Sequence, residues 1–435
     1  GPIAFLTIPI GCVLAGSLHD YFVGMISMRN DGAQVPKLMK RYAGKTTNKI
    51  YMVVICVLML LTGVVFIYTP GDLIVHDILG LDPSKALAVV FIVYACILAY
   101  YVLATLFPID MIIGKVYPIF GAFLILSAIG VFIGTLADGG KDLHAFTTQA
   151  PILGGLLTAH PSKQSFIPVF FVTVACGILS GFHGSQATLI SRTVKSEYEG
   201  KKTFFNMMLV EGFIAMVWAA GTMALIQFTA DKGGITMQLS DKGVWQYMIQ
   251  KGGELVAISP TSVVGVVCRY ALGPIGGAVA LIGIIILPIT SGDTALRALR
   301  LTIADTFHIK QDNNARRLAL ATPIFALVLG ILVWSKVDAD GFNQLWRYFA
   351  WSNQAMAVFA LAAAAIYLLV ENKGVYVWMP LVPGIFYTVV CGSYILNAKI
   401  GLNLPWNAAY IGSVLLAVLY TVAIFVRGKR PANIL

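Results

Sequence analysis

Charge is what this chain lacks most. Only 11% of its 435 residues are Asp, Glu, Lys or Arg, against 58% hydrophobic, and the mean hydropathy is +0.83. A soluble domain carries about 25% charged residues, so the chain has too little charge to cover a water-facing surface. That excludes a soluble enzyme, a disordered tail, a coiled coil and a nucleic-acid reader. Cysteine is scarce as well: Cys12, Cys56, Cys96, Cys176, Cys268 and Cys391 form no C-x-x-C pair. They give no disulfide framework and no metal spacing, and they read as small buried hydrophobes. H-E-x-x-H, G-x-S-x-G and paired catalytic carboxylates are missing, which argues against a membrane enzyme. Alternating strand patterns are missing too, which argues against a membrane β-barrel.

Apolar length is what the sequence has. A bilayer core takes about 20 apolar residues per helix. Eleven stretches qualify: 3–28, 50–69, 86–107, 116–136, 166–191, 204–229, 274–292, 318–335, 345–370, 376–396 and 405–426. With the N-terminus outside, the loops at 29–49, 115, 192–202, 297–317, 373 and 427–430 all fall on the inner side. They hold 20 of the 30 basic residues. Cytoplasmic loops collect Lys and Arg, so the net charge of +10 reads as topology, with a cytoplasmic C-terminus, and not as a site for an acidic partner. Two outer loops are long, 137–165 and 230–262, and read as disordered segments, short helical caps or an outer lid. The stretch 261–273, interrupted by Arg269, reads as an interfacial helix or an outer extension of the seventh span. No soluble domain fits anywhere, so residues 1–435 form one all-α, polytopic membrane domain. The sequence opens on Gly1 and enters an apolar run at once, so further sequence upstream is expected.

Ionisable and polar groups inside spans are costly and mark function by default. The fifth span contains Cys176-Gly177-Ile178-Leu179-Ser180-Gly181-Phe182-His183-Gly184-Ser185-Gln186. Each interior glycine costs a helix about 1 kcal/mol relative to alanine. Three glycines among polar groups near the midplane therefore predict a break between Ser180 and Gln186, with His183 or Gln186 facing a central cavity. Broken helices of this kind bind substrate in secondary transporters. A continuous helix whose glycines pack against a neighbour is the plainer alternative.

The seventh span ends in Leu287-Pro288-Ile289-Thr290-Ser291-Gly292-Asp293-Thr294. Pro288 removes a backbone donor and is expected to disrupt the helix. Thr290, Ser291 and Asp293 suit a coupling ion, either Na⁺ at Thr290 and Ser291 or a protonatable carboxylate. A helix simply leaving the membrane is the competing reading. His19 and Asp20 are adjacent, hence about 100° apart on a helix, and are expected not to share a partner. Glu211, inside the sixth span, is either a proton carrier or half of a structural ion pair. Asn353 and Gln354 lie a turn or two inside the ninth span, where their amides would line an outer gate behind the aromatic belt of Trp346 and Trp351.

At these motifs the sequence resembles the carbon-starvation protein A family, also called peptide transporter carbon starvation proteins. The matching stretches are AGSLHDYFVGMISMRNDG at 15–32, ILSGFHGSQATLISR at 178–192 and EGFIAMVWAA at 211–220. LPITSGDTALRALRLTIAD at 287–305 and WRYFAWSNQ at 346–354 complete the set. Together they cover essentially the whole chain. The resemblance implies a multispanning transporter of the prokaryotic inner membrane that takes up peptides or pyruvate during carbon limitation. It also implies a LeuT-like pair of inverted five-helix repeats with broken helices. Residues 1–136 would be most of repeat one, lacking its first helix, 166–370 would be repeat two, and 376–426 two additional helices.

The expected function is thus secondary active import of a small organic nutrient, peptide or pyruvate, coupled to H⁺ or Na⁺. No enzyme activity, no cofactor beyond the coupling ion, no nucleic-acid partner and no partner other than substrate and membrane lipid are expected. The substrate-binding candidates are Ser180, Gly181, His183, Gly184, Gln186, Asn353 and Gln354. The ion-coupling candidates are Thr290, Ser291, Asp293, Glu211, His19 and Asp20. A nutrient sensor or a channel without coupled transport is the alternative.

Overall fold

The computed structural model describes residues 2–106, 110–139, 165–226, 235–239, 245–251, 253–338 and 340–431. Ten helices among the described residues are long and apolar enough to cross a membrane. The fifth expected span, 166–191, is absent from that set because it is broken into α7 (Phe166–Val174), a tight turn at Ala175–Gly177, and α8 (Gly181–Ile190). The 137–165 loop lies almost entirely outside the described residues.

The chain forms two compact units. One comprises Leu60–Gln149 and Val217–Val337. It holds the later part of α4 (Lys45–Leu73), then α5 (Leu87–Leu106), α6 (Asp110–Gly139) and the later part of α9 (Met207–Ile226). It also holds α10 (Val263–Thr306) and α11 (Asn314–Val337). Its interior is aliphatic: Val131, Val217, Val263 and Val267 pack in one cluster, and Leu73, Ala280, Leu281 and Ile285 in another. The outward faces are apolar too, with Ile92, Leu126 and Ile275 all exposed. Such faces suit a helix bathed in lipid, where backbone polar groups must be satisfied within the helix itself.

Two sequence expectations change in this unit. α10 runs without interruption through Pro288 and on to Thr306. The hydroxyl of Thr290 donates back to the carbonyls of Ile286 and Leu287, as helical threonines do, while the carbonyl that Pro288 cannot serve is that of Ile284. The true break is at Gly273 (φ 70°), which a side chain would strain, followed by Pro274. It separates a short helix carrying Arg269 from the long one. The 230–262 loop carries a three-stranded antiparallel sheet, β1 (Ile235–Leu239), β2 (Trp245–Lys251) and β3 (Glu254–Ile258). Ile235, fully buried, packs with Tyr247, Ile249 and Ile258 against Val263 and Val267. The described residues are therefore helical with one small sheet.

The other unit comprises Ile3–Met59, Ala150–Met216 and Asp338–Leu435. It holds α1 (Pro2–Gly11), a wide π turn at Cys12–Gly16, α2 (Ser17–Met28), α3 (Val35–Tyr42), the start of α4, α7, α8 and the start of α9. α12 (Gly341–Val370), α13 (Trp378–Asn397) and α14 (Trp406–Gly428) complete it. α12 is its core. Every residue from Ala360 to Leu368 is buried, because the run LAAAAIYLL presents small side chains on all sides and lets neighbours approach closely. α2, α3, α13 and α14 pack around it through Phe22, Leu38, Tyr42, Leu381 and Ile424.

Candidate functional site: a relay of four titratable side chains

Two irregular segments meet in the α12 unit. Ser180 is extended (φ −127°, ψ 116°) where α8 begins, so the peptides from Ile178 to Ser180 lie outside any helix. Gly16, at the end of the π turn, touches them: a Cβ there would collide with the Ile178 carbonyl. Glycine is thus required for the two deformed helices to approach each other. Gly181 is required for the same reason on the opposite side, since its Cβ would strike the main-chain oxygen of Asn353.

The break lies slightly earlier than the spacing of glycines suggested, at Ile178–Ser180 rather than within Ser180–Gln186. Asn353 sets its position. Its Oδ1 accepts from the Phe182 N–H at 2.8 Å, and its Nδ2 donates to Ser180 Oγ at 3.3 Å. A foreign amide therefore satisfies an orphan donor of the new helix start, as a cap residue would. Gln354 donates to the Phe171 carbonyl of α7. Both amides are 0% exposed, and they brace the broken helix.

The α8 start brings His183 between two carboxylates. Asp20 Oδ2 is 3.1 Å from His183 Nδ1, and Glu211 Oε2 is 3.1 Å from His183 Nε2. On the far side, Asp20 Oδ1 meets His19 Nδ1 at 2.7 Å. The adjacent pair therefore bond to each other, contrary to the expectation from their 100° separation, because the short Asp side chain reaches back along its own helix. The result is a continuous line His19–Asp20–His183–Glu211 across α2, α8 and α9. Side-chain exposure rises along it from 0% at His19 through 10% and 19% to 41% at Glu211, so Glu211 is its open end. His19 and Asp20 lie about 13 Å of helix rise from Met28, near the middle of a hydrocarbon layer about 30 Å thick.

This geometry constrains protons. Both ring nitrogens of His183 face carboxylate oxygens, and a carboxylate only accepts. Each contact therefore needs its own proton. Either His183 is an imidazolium between two carboxylates, or it is neutral and one carboxyl is protonated. The first state with neutral His19 carries one net negative charge, and adding one proton neutralises the cluster. The fully buried Nε2 of His19 has no hydrogen-bond partner, so the line also ends on an unused polar atom. Gly184 leaves room beside it, a Cβ there lying 3.5 Å from His19 Cε1. Gln186, two residues further along α8, is half-buried.

The remaining ion-coupling candidates lie in the other unit. Asp293 Oδ2 is paired with Arg297 Nη2 at 2.8 Å, and Thr290 spends its hydroxyl on its own helix. Ser291 is half-buried beside them. Among the described residues no three or more His, Cys, Asp or Glu side chains converge to hold a metal ion. A further buried charge pair carries no motif in the sequence. Lys336 Nζ reaches both oxygens of Asp72 at 2.8 Å, and Tyr94 donates to the same carboxylate at 2.7 Å. An aspartate two residues after Pro70 at the end of an apolar span was the available signal.

A family model described as carbon starvation protein CstA matches residues 3–135 and 261–393. The matched segments include His19, Asp20, Asn353 and Gln354, and leave out His183 and Glu211. An uncharacterized membrane protein of Haemophilus influenzae is 35% identical over 264 residues, covering 52% of this chain and 71% of that protein. The peptide transporter CstA of Campylobacter jejuni is 23% identical, covering 89% and 67%. The pyruvate/proton symporter BtsT of Escherichia coli is 22% identical, covering 90% and 69%. A variant of the Eremococcus coleocola manganese transporter shares the fold, with TM-score 0.59 at 10% identity over 98% of this chain and 88% of that one. The polytopic helical fold, LeuT-like as the family resemblance implies, is therefore shared.

Proposed function

The chain belongs to the carbon starvation protein CstA family, and on that premise we propose that it is a secondary transporter that imports a small organic nutrient together with protons. The observation that carries this reading is the four-membered line of titratable groups from buried His19 to half-exposed Glu211. It begins beside the broken helix, where freed backbone groups suit substrate. A cluster that changes by one charge on protonation changes its cost of burial in the membrane. It can therefore bias one conformation over another, provided the two conformations bind the proton unequally.

Protons are favoured over sodium because the hard-oxygen candidates are already engaged: Asp293 by Arg297 and Thr290 by its own helix. The substrate class, peptide or pyruvate, comes from the named relatives. A small carboxylate-bearing nutrient suits a site that is itself neutral when loaded with a proton. We place the protein in a prokaryotic inner membrane with a cytoplasmic C-terminus, on the distribution of its basic residues, and tie its use to carbon limitation. The inverted repeats at 1–136 and 166–370, with 376–426 outside them, are part of the same proposal.

The test is uptake of labelled pyruvate and of a labelled dipeptide into liposomes containing the purified protein, with separately imposed proton and sodium gradients. Saturable uptake of one substrate driven by an inward proton gradient supports the proposal. Uptake driven by sodium alone moves the coupling site to Thr290, Ser291 and Asp293. Binding without flux points to a sensor.

A further inference from the structure

A second concentration of charge lies where α10 continues past the seventh span. Arg297 and Arg300 are a turn apart on α10, and Arg317 is in the first turn of α11. Arg317, Arg297 and Asp293 act electrostatically on Arg300, and Asp293 pairs with Arg297. Arg300 is only 6% exposed. Its Nη1 donates to the neutral Gln311 Oε1 at 2.8 Å, and its buried Nε has no hydrogen-bond partner. Arg317 Nε donates to the main-chain oxygen of Gln311 at 2.9 Å. Among the described residues neither Arg300 nor Arg317 has a carboxylate at ion-pair distance.

A buried guanidinium without a counter-ion is expensive. Two guanidiniums without a carboxylate suit a phosphate group, doubly charged when free and singly charged in a lipid, whose several oxygens accept from both. Guanidiniums bind phosphate through paired N–H donors. Depth agrees: α10 rises about 39 Å from Pro274 to Arg300, beyond a hydrocarbon layer of about 30 Å and within the headgroup zone. Basic pockets at that level bind anionic headgroups.

We propose that Arg300, supported by Arg317 and Arg297, forms a binding site for a phosphate-bearing anion at the membrane edge of the α10–α11 unit. The site is separate from the His19–Glu211 line and does not depend on what the protein carries. The anion replaces the missing counter-charge of Arg300 and ties the α10–α11 loop, through Gln311, to the helix ends.

The full chain is placed in phosphatidylcholine nanodiscs, and its thermal midpoint is followed while phosphatidylglycerol is added in one arm and inorganic phosphate in the other. A rise in one arm is expected, and the arm that responds identifies the source. Arg300→Gln should weaken that response at least about tenfold, the scale of a lost hydrogen bond to a charged group. Arg316→Gln, which removes an exposed side chain paired with Asp312, should leave it unchanged. No rise in either arm, or an equal rise in Arg300→Gln, overturns the proposal. If Arg300→Gln does not fold, Arg317→Gln is the deciding variant: a weakened response supports the site, and an unchanged one overturns it.

Discussion

Replacing Asp20 by Asn changes one charge at nearly constant volume in the middle of the relay. In the wild type its carboxylate sits 2.7 Å from His19 Nδ1 and 3.1 Å from His183 Nδ1. At an effective dielectric of about 20, unit charges 3.1 Å apart attract by about 5 kcal/mol, an upper bound because Asp20 has also been taken out of water. The net loss is that of a charge-assisted hydrogen bond, about 1.5–3 kcal/mol. That is about one to two pH units of proton binding. The sign follows from the charge. Asp20 attracts a proton to the His183–Glu211 end, so without it a lower pH is needed to load the cluster. Uptake in Asp20→Asn should therefore reach half its maximum at a pH about one to two units lower than wild type, with folded yield nearly unchanged. The assay is initial uptake into liposomes as a function of external pH at fixed membrane potential. A profile superimposable on wild type, at the same maximal rate, would refute a proton path through Asp20.

Further outcomes follow from the same geometry. His183→Ala removes the link between the two carboxylates, so uptake should fall far more than the amount of folded protein; equal losses in both would make His183 structural. Asn353→Ala strips the Phe182 N–H of its acceptor and should cost about 1–2 kcal/mol, read as a lower denaturation midpoint in detergent. Gly181→Ala forces a methyl against the backbone of α12 and should destabilise by at least about 1–3 kcal/mol, with a normal midpoint ruling out the close approach. Lys336→Met leaves the fully buried Asp72 unpaired and should cost about 3–5 kcal/mol. Adding Asp72→Asn should restore much of it, and no restoration would mean the pair contributes little.

Apolar length and charge bias made the membrane class and span count legible, because lipid imposes the helix and the translocation machinery imposes the loops. The broken helix was legible from three glycines among polar residues. Its position was not, since Asn353 fixes it from 173 residues away in the chain. The linkage of Asp20 to His183 is hidden for the same reason: three separate helices supply its members. The sheet at 235–258 did leave a signal. Ile235, Met237 and Leu239 alternate with polar Thr236 and Gln238, the period-two pattern of a strand, but Met248 breaks the alternation of Trp245, Tyr247 and Ile249 and each run is short. Pro288 does not end its helix, because a membrane helix can carry a proline in its interior.

The most direct test of proton coupling through the relay reads protons and not substrate. Liposomes containing the protein and an internal pH dye, with no ion gradient at the start and the membrane potential clamped, receive the transported substrate from outside. Inward substrate flow should acidify the lumen in the wild type. Glu211→Gln should abolish the acidification while leaving substrate binding intact. Substrate accumulation with no pH change in the wild type, or undiminished acidification in Glu211→Gln, would contradict the account.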